Sequence, residues 1–222
     1  MKLALLLSGG KDSLYSGFVA KKFNHELSCL ISIFSENKES YMFHTPSVSK
    51  VEYQAKVMKI PLIIQKTKGK KEEELKDMER VIKFAIKKYK IEGIVTGAIQ
   101  SVYQSSRIQK ICNKLKIWVF NPLWQTNEEE YLDNLLKNKF KVILTGVFAF
   151  PFDKEWLGKK IDKNFISEIK KLHEKYKISR IGEGGEFETF VLDCPLFKKE
   201  LKIKNYHDFK EGENSWRREI EF

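Results

Sequence analysis

The stretch Leu3-Ala4-Leu5-Leu6-Leu7-Ser8-Gly9-Gly10-Lys11-Asp12-Ser13 decides the fold. Five apolar residues ending at Ser8 predict a strand covered on both faces, as in parallel sheets. Gly9 and Gly10 admit backbone angles that other residues resist and let a ligand approach the main chain closely. From Ser13 onward, Leu14, Phe18, Val19 and Phe23 recur at helical spacing. The first N–H groups of that helix then point back into the turn, with the positive end of the helix dipole behind them. Such a turn binds an anion, most often a phosphate.

Working outward, strands and helices alternate over the first half. Leu27–Phe34 reads as a second strand, residues 47–58 as a helix with Val48, Val51, Ala55 and Met58 on one face, and Pro61–Ile64 as a short third strand. Between Lys70 and Lys90, Leu75, Met78, Ile82, Ala85 and Ile86 fall at helical intervals, so the charge run there is a solvated face. Ile94–Ala98 is a further strand, Ser101–Leu115 a helix and Trp118–Phe120 a strand closed by Asn121-Pro122. This alternation predicts an α/β fold, a Rossmann-like parallel sheet with helices on both faces. In such sheets ligands sit at the carboxyl ends of the strands, where the loops after residues 8, 34 and 97 open.

The second half has a different pattern. Residues 128–139 and 163–176 read as helices, and Val142–Val147 and Phe190–Leu192 as strands. A boundary near Trp124 is therefore expected, dividing the parallel-sheet domain (1–124) from a smaller α+β domain (125–222). The second half holds Gly182-Glu183-Gly184-Gly185-Glu186-Phe187-Glu188-Thr189-Phe190, three glutamates and three glycines in a chain of formal charge +11. If the chain is extended from Gly185, Glu186 and Glu188 share one face and Phe187 takes the other. Carboxylates beside flexible backbone suit a cation: magnesium, ammonium or an alkylammonium group. The alternative is a glycine turn with solvated glutamates.

Composition narrows the classes. No apolar stretch reaches the ~18–20 residues that a membrane span needs. Met1-Lys2 runs directly into the first strand, with no room for a signal peptide. Cys29, Cys112 and Cys194 are isolated thiols without metal-site spacing, so a reduced, cytoplasmic protein is expected. The positive charge comes from 36 Lys against 5 Arg, interspersed with 23 Glu. That is the surface habit of proteins from hot environments. Nucleic-acid readers lean more on Arg, so RNA contact through net charge is expected to be weak. Oligomeric state is not legible.

The turn is not a Walker A loop: it lacks the second glycine before the lysine, and Asp12 stands where Ser or Thr should. Ser8-Gly9-Gly10-Lys11-Asp12-Ser13 instead resembles the pyrophosphate loop of N-type ATP pyrophosphatases, which cleave ATP between its α and β phosphates. With Tyr41–Thr45, Gly97-Ala98-Ile99, Tyr103-Gln104 with Arg107, Asn121-Pro122-Leu123-Trp124, Gly184–Thr189 and Asp193-Cys194-Pro195-Leu196, it resembles the diphthine–ammonia ligase family. These pieces run in family order over nearly the whole chain, and Gly184–Thr189 discriminates the family.

The resemblance implies the last step of diphthamide synthesis. ATP activates a diphthine carboxyl on translation elongation factor 2 as an acyl-adenylate, and ammonium supplies the nitrogen. It implies ATP and Mg2+ as cofactors. Ser8, Gly9, Gly10, Lys11, Asp12, Ser13, His44, Thr45 and Gly97 would hold the nucleotide, with Asp12 also on the metal. Tyr103, Gln104, Arg107, Glu183, Gly185, Glu186, Glu188 and Thr189 would meet the substrate. Lys11, Asp12, Arg107, Glu186 and Glu188 would carry the chemistry, and Phe187, Phe190 or Trp124 could face the trimethylammonium of diphthine. Two further classes share the loop: a tRNA-modifying pyrophosphatase and a non-catalytic nucleotide sensor. The first would favour the basic charge; the second would have no use for the acidic segment.

Overall fold

A computed structural model describes residues 1–35, 50–68 and 73–222. The chain forms two compact units, Met1–Trp124 and Gln125–Phe222.

The first unit alternates β1 (Lys2–Leu6), α1 (Lys11–Lys22), β2 (Glu26–Ser35), α2 (Val51–Met58), β3 (Leu62–Thr67), α3 (Glu73–Tyr89), β4 (Gly93–Val95), α4 (Val102–Leu115) and β5 (Trp118–Phe120). All strand pairs are parallel, in the order β3-β2-β1-β4-β5. The order reverses between β1 and β4, which fixes the switch point at the loop that follows β1. Ala4, Ile31, Ile33 and Ile94 on one face of the sheet pack with Met78, Val81, Ile82 and Ala85 of α3 and Ile108, Ile111 and Cys112 of α4. Fully buried strands explain the near-continuous apolar runs in β1 and β2.

Helix α1 begins at Lys11, two residues earlier than its apolar spacing predicts. It buries Leu14, Tyr15, Gly17 and Ala20, whereas Phe23 is 65% exposed. The spacing identified the helix and misjudged its inner face, because the helix packs through small residues close to the sheet. Ser101 caps α4, its Oγ accepting from Gln104 N at 3.3 Å. Strand β4 ends at Val95, leaving Thr96–Ala98 as loop.

The second unit carries α5 (Glu128–Lys137), β6 (Lys141–Val147), a 3-10 turn (Lys154–Trp156), α6 (Lys163–Tyr176), β7 (Phe187–Asp193), β8 (Asn205–Gly212) and β9 (Ser215–Glu221). Its sheet is antiparallel, in the order β7-β6-β9-β8. Asn127 Oδ1 caps α5 by accepting from Glu129 N and Glu130 N, and three glutamates in the first turn complement the helix dipole. Asp162 caps α6 in the same way, Oδ1 accepting from Phe165 N at 2.9 Å. Strands β8 and β9 were not foreseen from the sequence. They are polar and mostly exposed, and cross-strand pairs such as Arg218–Asp208 hold them together in place of an apolar stripe.

Candidate functional site

In the first unit the site starts at the carboxyl end of β1. Strand β1 is fixed by Leu7 N donating to Ile31 O at 2.8 Å, and Ser32 Oγ donates to Leu7 O at 2.8 Å. Beyond it, Gly9 turns the chain with φ of 89°. Ser8 and Ser13 lock the loop across its base: their hydroxyls lie 3.1 Å apart, Ser8 N donates to Ser13 Oγ at 3.3 Å, and Ser13 Oγ donates to Gly10 O at 3.1 Å. Gly10 is the N-cap of α1 and offers no side-chain acceptor to the first helical N–H groups. An N-terminus that its N-cap side chain does not block suits an anion.

Lys11 is buried, and its Nζ lies 3.0 Å from Asp12 Oδ2, whose side chain is about one-third exposed. Cation and carboxylate thus sit together at the mouth of the loop. Among the described residues no three His, Cys, Asp or Glu side chains gather as a metal-binding group. A divalent cation on Asp12 would therefore complete its shell with phosphate oxygens and water.

Gly97 closes the loop from the β4 side. A Cβ there would stand 2.7 Å from Asp12 C, 2.8 Å from Ser13 N and 2.9 Å from Asp12 O. Only glycine lets the first turn of α1 seat this close. Gln54 supports the loop from α2: fully buried, it donates from Nε2 to Gly9 O at 3.0 Å. Sequence reading missed Gln54, and its one signal was a glutamine on the apolar face of a short helix.

Arg107 and Tyr103 lie one turn apart on α4. The guanidinium carbon stacks 3.4 Å from the Tyr103 ring centroid, Nη1 donates to Tyr103 O at 3.4 Å, and Nε is buried without a partner among the described residues. Asn121 Oδ1, at the carboxyl end of β5, is likewise buried and unpaired. Tyr103, Gln104 and Arg107 share the first turns of a helix that follows β4, so Arg107 is held by packing and keeps one polar atom unmatched. His44 and Thr45, and the rest of Tyr41–Thr45, lie outside the described residues.

In the second unit the acidic segment is an ordered turn. Gly182 and Gly185 have φ of 78° and 81°, and Gly185 N donates to Gly182 O at 3.1 Å. A Cβ on Gly182 would meet Phe187 O at 2.8 Å, while one on Gly185 would meet nothing within 4 Å. Glu186 precedes β7. Its Oε1 accepts from Ser179 N at 2.7 Å, and its Oε2 is buried without a partner among the described residues. Ser179 is the hub: Oγ donates to Glu128 Oε1 at 3.0 Å and accepts from Ile181 N and Glu183 N. Glu128 Oε2 also accepts from Arg180 N at 3.3 Å, and Arg180 pairs with Glu129 at 3.1 Å. Glu128 and Ser179 are thus site residues that sequence reading missed, since each looks like ordinary helix-end punctuation.

Glu188 sits within β7, opposite Gly146 of β6, and Thr189 beside it is buried. The expectation that Phe187 or Phe190 faces a quaternary ammonium does not hold. Phe187 is 4% exposed and packs edge-on against Phe152 and Phe165, and Phe190 is fully buried. Both rings are therefore buried, one on each face of the strand. Trp124 is 37% exposed.

All three thiols are buried, and burial pushes each up to about 12. None can act as a thiolate near neutral pH, which disfavours thiol-transfer chemistry.

Comparison with known proteins places these features in a family. The diphthamide synthase N-terminal domain model matches residues 1–118, and the corresponding C-terminal domain model matches residues 127–221. Diphthine–ammonia ligase of Bos taurus is 33% identical, covering 91% of this chain and 83% of the bovine protein. The Homo sapiens protein of the same name is 32% identical over the same shares. Among solved structures, one described as a predicted subunit of tRNA methyltransferase from Methanocaldococcus jannaschii is 21% identical. It covers 90% of this chain and all of that one, with a TM-score of 0.45.

Proposed function

This chain belongs to the diphthamide synthase family, and from that premise we propose which of its residues carry each part of the reaction. The protein is an enzyme, a diphthine–ammonia ligase that uses ATP to amidate diphthine in diphthamide synthesis. Its substrates are a diphthine-bearing protein and ammonia. We take the protein to be translation elongation factor 2, the nitrogen source to be free ammonium and the setting to be cytoplasmic. Among the described residues no helix is long and apolar enough to cross a membrane.

A carboxylate resists ammonia because oxide and hydroxide leave poorly. Attack of the diphthine carboxylate oxygen on the α-phosphorus of ATP forms an acyl-adenylate and breaks the α–β bridge, releasing pyrophosphate. Ammonium gives up a proton, and the ammonia formed adds to the acyl carbon. The amide forms as AMP departs with the electron pair of the broken bond and the added nitrogen releases a second proton to solvent.

The observation that carries the assignment of roles is the uncapped N-terminus of α1 behind the locked Ser8–Ser13 loop. We assign that loop, in the unit spanning residues 1–124, to the β and γ phosphates. Charge grows on these oxygens as the bridge breaks, and preorganised N–H donors act most strongly there. Lys11 would exchange its contact with Asp12 for phosphate oxygen, releasing Asp12 to hold Mg2+, which when bound shields the triphosphate charge. His44, Thr45 and Gly97 belong to the same nucleotide group, with Gly97 acting through the seat it gives α1.

Arg107, held flat on Tyr103, is the residue we assign to the substrate carboxylate or the α-phosphate, with Gln104 next to it. In the unit spanning residues 125–222, Glu186 offers its unpartnered Oε2 to a cation, either ammonium or the trimethylammonium of diphthine. Glu183, Glu188, Gly185 and Thr189 shape the same pocket in this reading, and Glu128 and Ser179 hold it in position.

The decisive experiment incubates the protein with ATP, Mg2+ and diphthine-bearing elongation factor 2, with and without ammonium, and weighs the factor by mass spectrometry. A loss of about 1 Da, from –OH to –NH2, that requires both ATP and ammonium is expected. AMP formation stimulated by tRNA at physiological salt, without response to the factor, would transfer the assignment to a tRNA-modifying enzyme.

A further inference from the structure

We infer that β8 pairs with β8 of a second copy of this chain, antiparallel and in one register centred on Phe209, joining two four-stranded sheets into one. Among the described residues β8 is the edge strand of the second unit's sheet, paired on one side only, with β9. It is eight residues long and largely exposed, with Tyr206 51% and Phe209 46% accessible. An edge of that length presents a row of backbone donors and acceptors that templates further pairing.

The backbone limits the register. Along an antiparallel strand, residues alternately turn their N–H and C=O toward and away from a neighbour. Tyr206 N donates to Asn205 Oδ1 at 2.9 Å, so the Tyr206 amide faces away from β9. Pairing with β9 runs unbroken from Asn205 to Lys210, and the amides of Asp208 and Lys210 therefore also face outward. A second β8 must align its outward residues with these.

Charge selects among the registers that remain. Centring on Phe209 puts Lys210 of each copy opposite Asp208 of the other and Glu211 opposite His207, with the two Phe209 rings together. Asp208 and Lys210 then exchange four backbone hydrogen bonds about the two-fold axis. Sliding two residues one way sets Asp208 against Asp208; sliding two the other way sets Lys210 against Lys210. Like charges directly opposite are destabilising, so both neighbouring registers are disfavoured. The charged residues that would ordinarily blunt an edge act here as register selectors. Arg218, directly opposite on β9, forks onto Asp208 at 2.7 and 2.9 Å and fixes its carboxylate. The isologous symmetry is the commonest among homodimers.

The register is tested with cysteine variants of the full chain. Phe209 would face its own copy as a non-hydrogen-bonded pair with Cα atoms about 4.5 Å apart, within disulfide reach. His207 lies on the same face, but its two copies would be roughly 14 Å apart. Phe209→Cys should cross-link under mild oxidation at least about tenfold faster than His207→Cys, because only the first meets the geometric limits. The natural thiols are buried and do not compete.

Sedimentation of the unmodified protein from about 1 µM to about 1 mM should show a dimer, a range that spans weak edge pairing. Amide-exchange protection at Asp208 and Lys210 should rise with protein concentration. Lys210→Pro removes an outward N–H and the charge pair while sparing the ladder to β9, so it should melt normally and dissociate. A protein that stays monomeric throughout overturns the inference and leaves the edge to an extended segment of some other protein. Equal cross-linking of the two cysteine variants, or a dimer that survives Lys210→Pro, also overturns it.

Discussion

Replacing Gly97 by alanine tests the link between the sheet and the phosphate loop. The new Cβ would lie 2.7 Å from Asp12 C and 2.8 Å from Ser13 N. Both atoms are backbone, so no side-chain rotation relieves the overlap, and the first turn of α1 must move by several tenths of an ångström. Overpacking of this kind costs about 1–3 kcal/mol, a fall in melting temperature of roughly 2–12 °C at this chain length. Gly93 supplies the control. Its Cβ would meet Trp118 O at 2.8 Å and Leu3 Cδ2 at 2.9 Å, a comparable clash at the opposite end of β4. Gly93→Ala and Gly97→Ala should therefore destabilise to similar degrees. Only Gly97→Ala displaces the N–H groups that we assign to phosphate, where a hydrogen bond to a charged group contributes about 1.5–3 kcal/mol. ATP affinity measured by calorimetry should fall by about ten- to a hundredfold in Gly97→Ala and by less than about twofold in Gly93→Ala. Equal ATP affinities in the two variants would refute the reasoning.

Three further outcomes are expected. ATP turnover should yield AMP and pyrophosphate, with Asp12→Ala at least about tenfold slower, or ~1.4 kcal/mol of barrier; ADP and phosphate as main products would contradict the loop assignment. Glu186→Gln with Glu188→Gln removes charge and keeps size, so ATP binding should stay within about threefold while amidation falls about tenfold or more. A parallel loss of ATP affinity would move those carboxylates to the metal, and unchanged amidation would make them structural. At pH 8 the native protein should resist thiol labelling, because all three thiols lie at about 12, whereas the unfolded chain should label at Cys29, Cys112 and Cys194; rapid labelling of native protein would contradict their burial.

What the sequence disclosed follows from where its signals are local. The apolar run of β1, the two glycines and the helix behind them are contiguous, so the strand–turn–helix geometry and the parallel-sheet class were both readable. The Glu79 and Lys114 pair at 2.8 Å between α3 and α4 had no such signature, since it joins two polar faces distant in sequence. Glu186 was identified from composition, but not its anchor. Ser179 N and Glu128 come to it from a helix exit and a helix start, 7 and 58 positions away. The hairpin of β8 and β9 escaped notice because charge pairs, not alternating apolar residues, define it.

The two carboxylate-bearing segments hold charge in different ways, and that difference bears on their roles. Asp12 pairs within the loop with a neighbouring ammonium, and on the proposed assignment ATP bound there would trade that ion contact for others. Among the described residues no cation pairs with Glu186; one oxygen takes a backbone N–H and the other is buried and unmatched. Leaving a buried acceptor unmatched costs about 1–3 kcal/mol, and a permanent structural role would give no return for it. A cation supplied by the substrate recovers that cost only when it is bound. On the proposed assignment Glu186 would discriminate against uncharged side chains, whereas the Ser8–Ser13 loop would accept any triphosphate that reaches it.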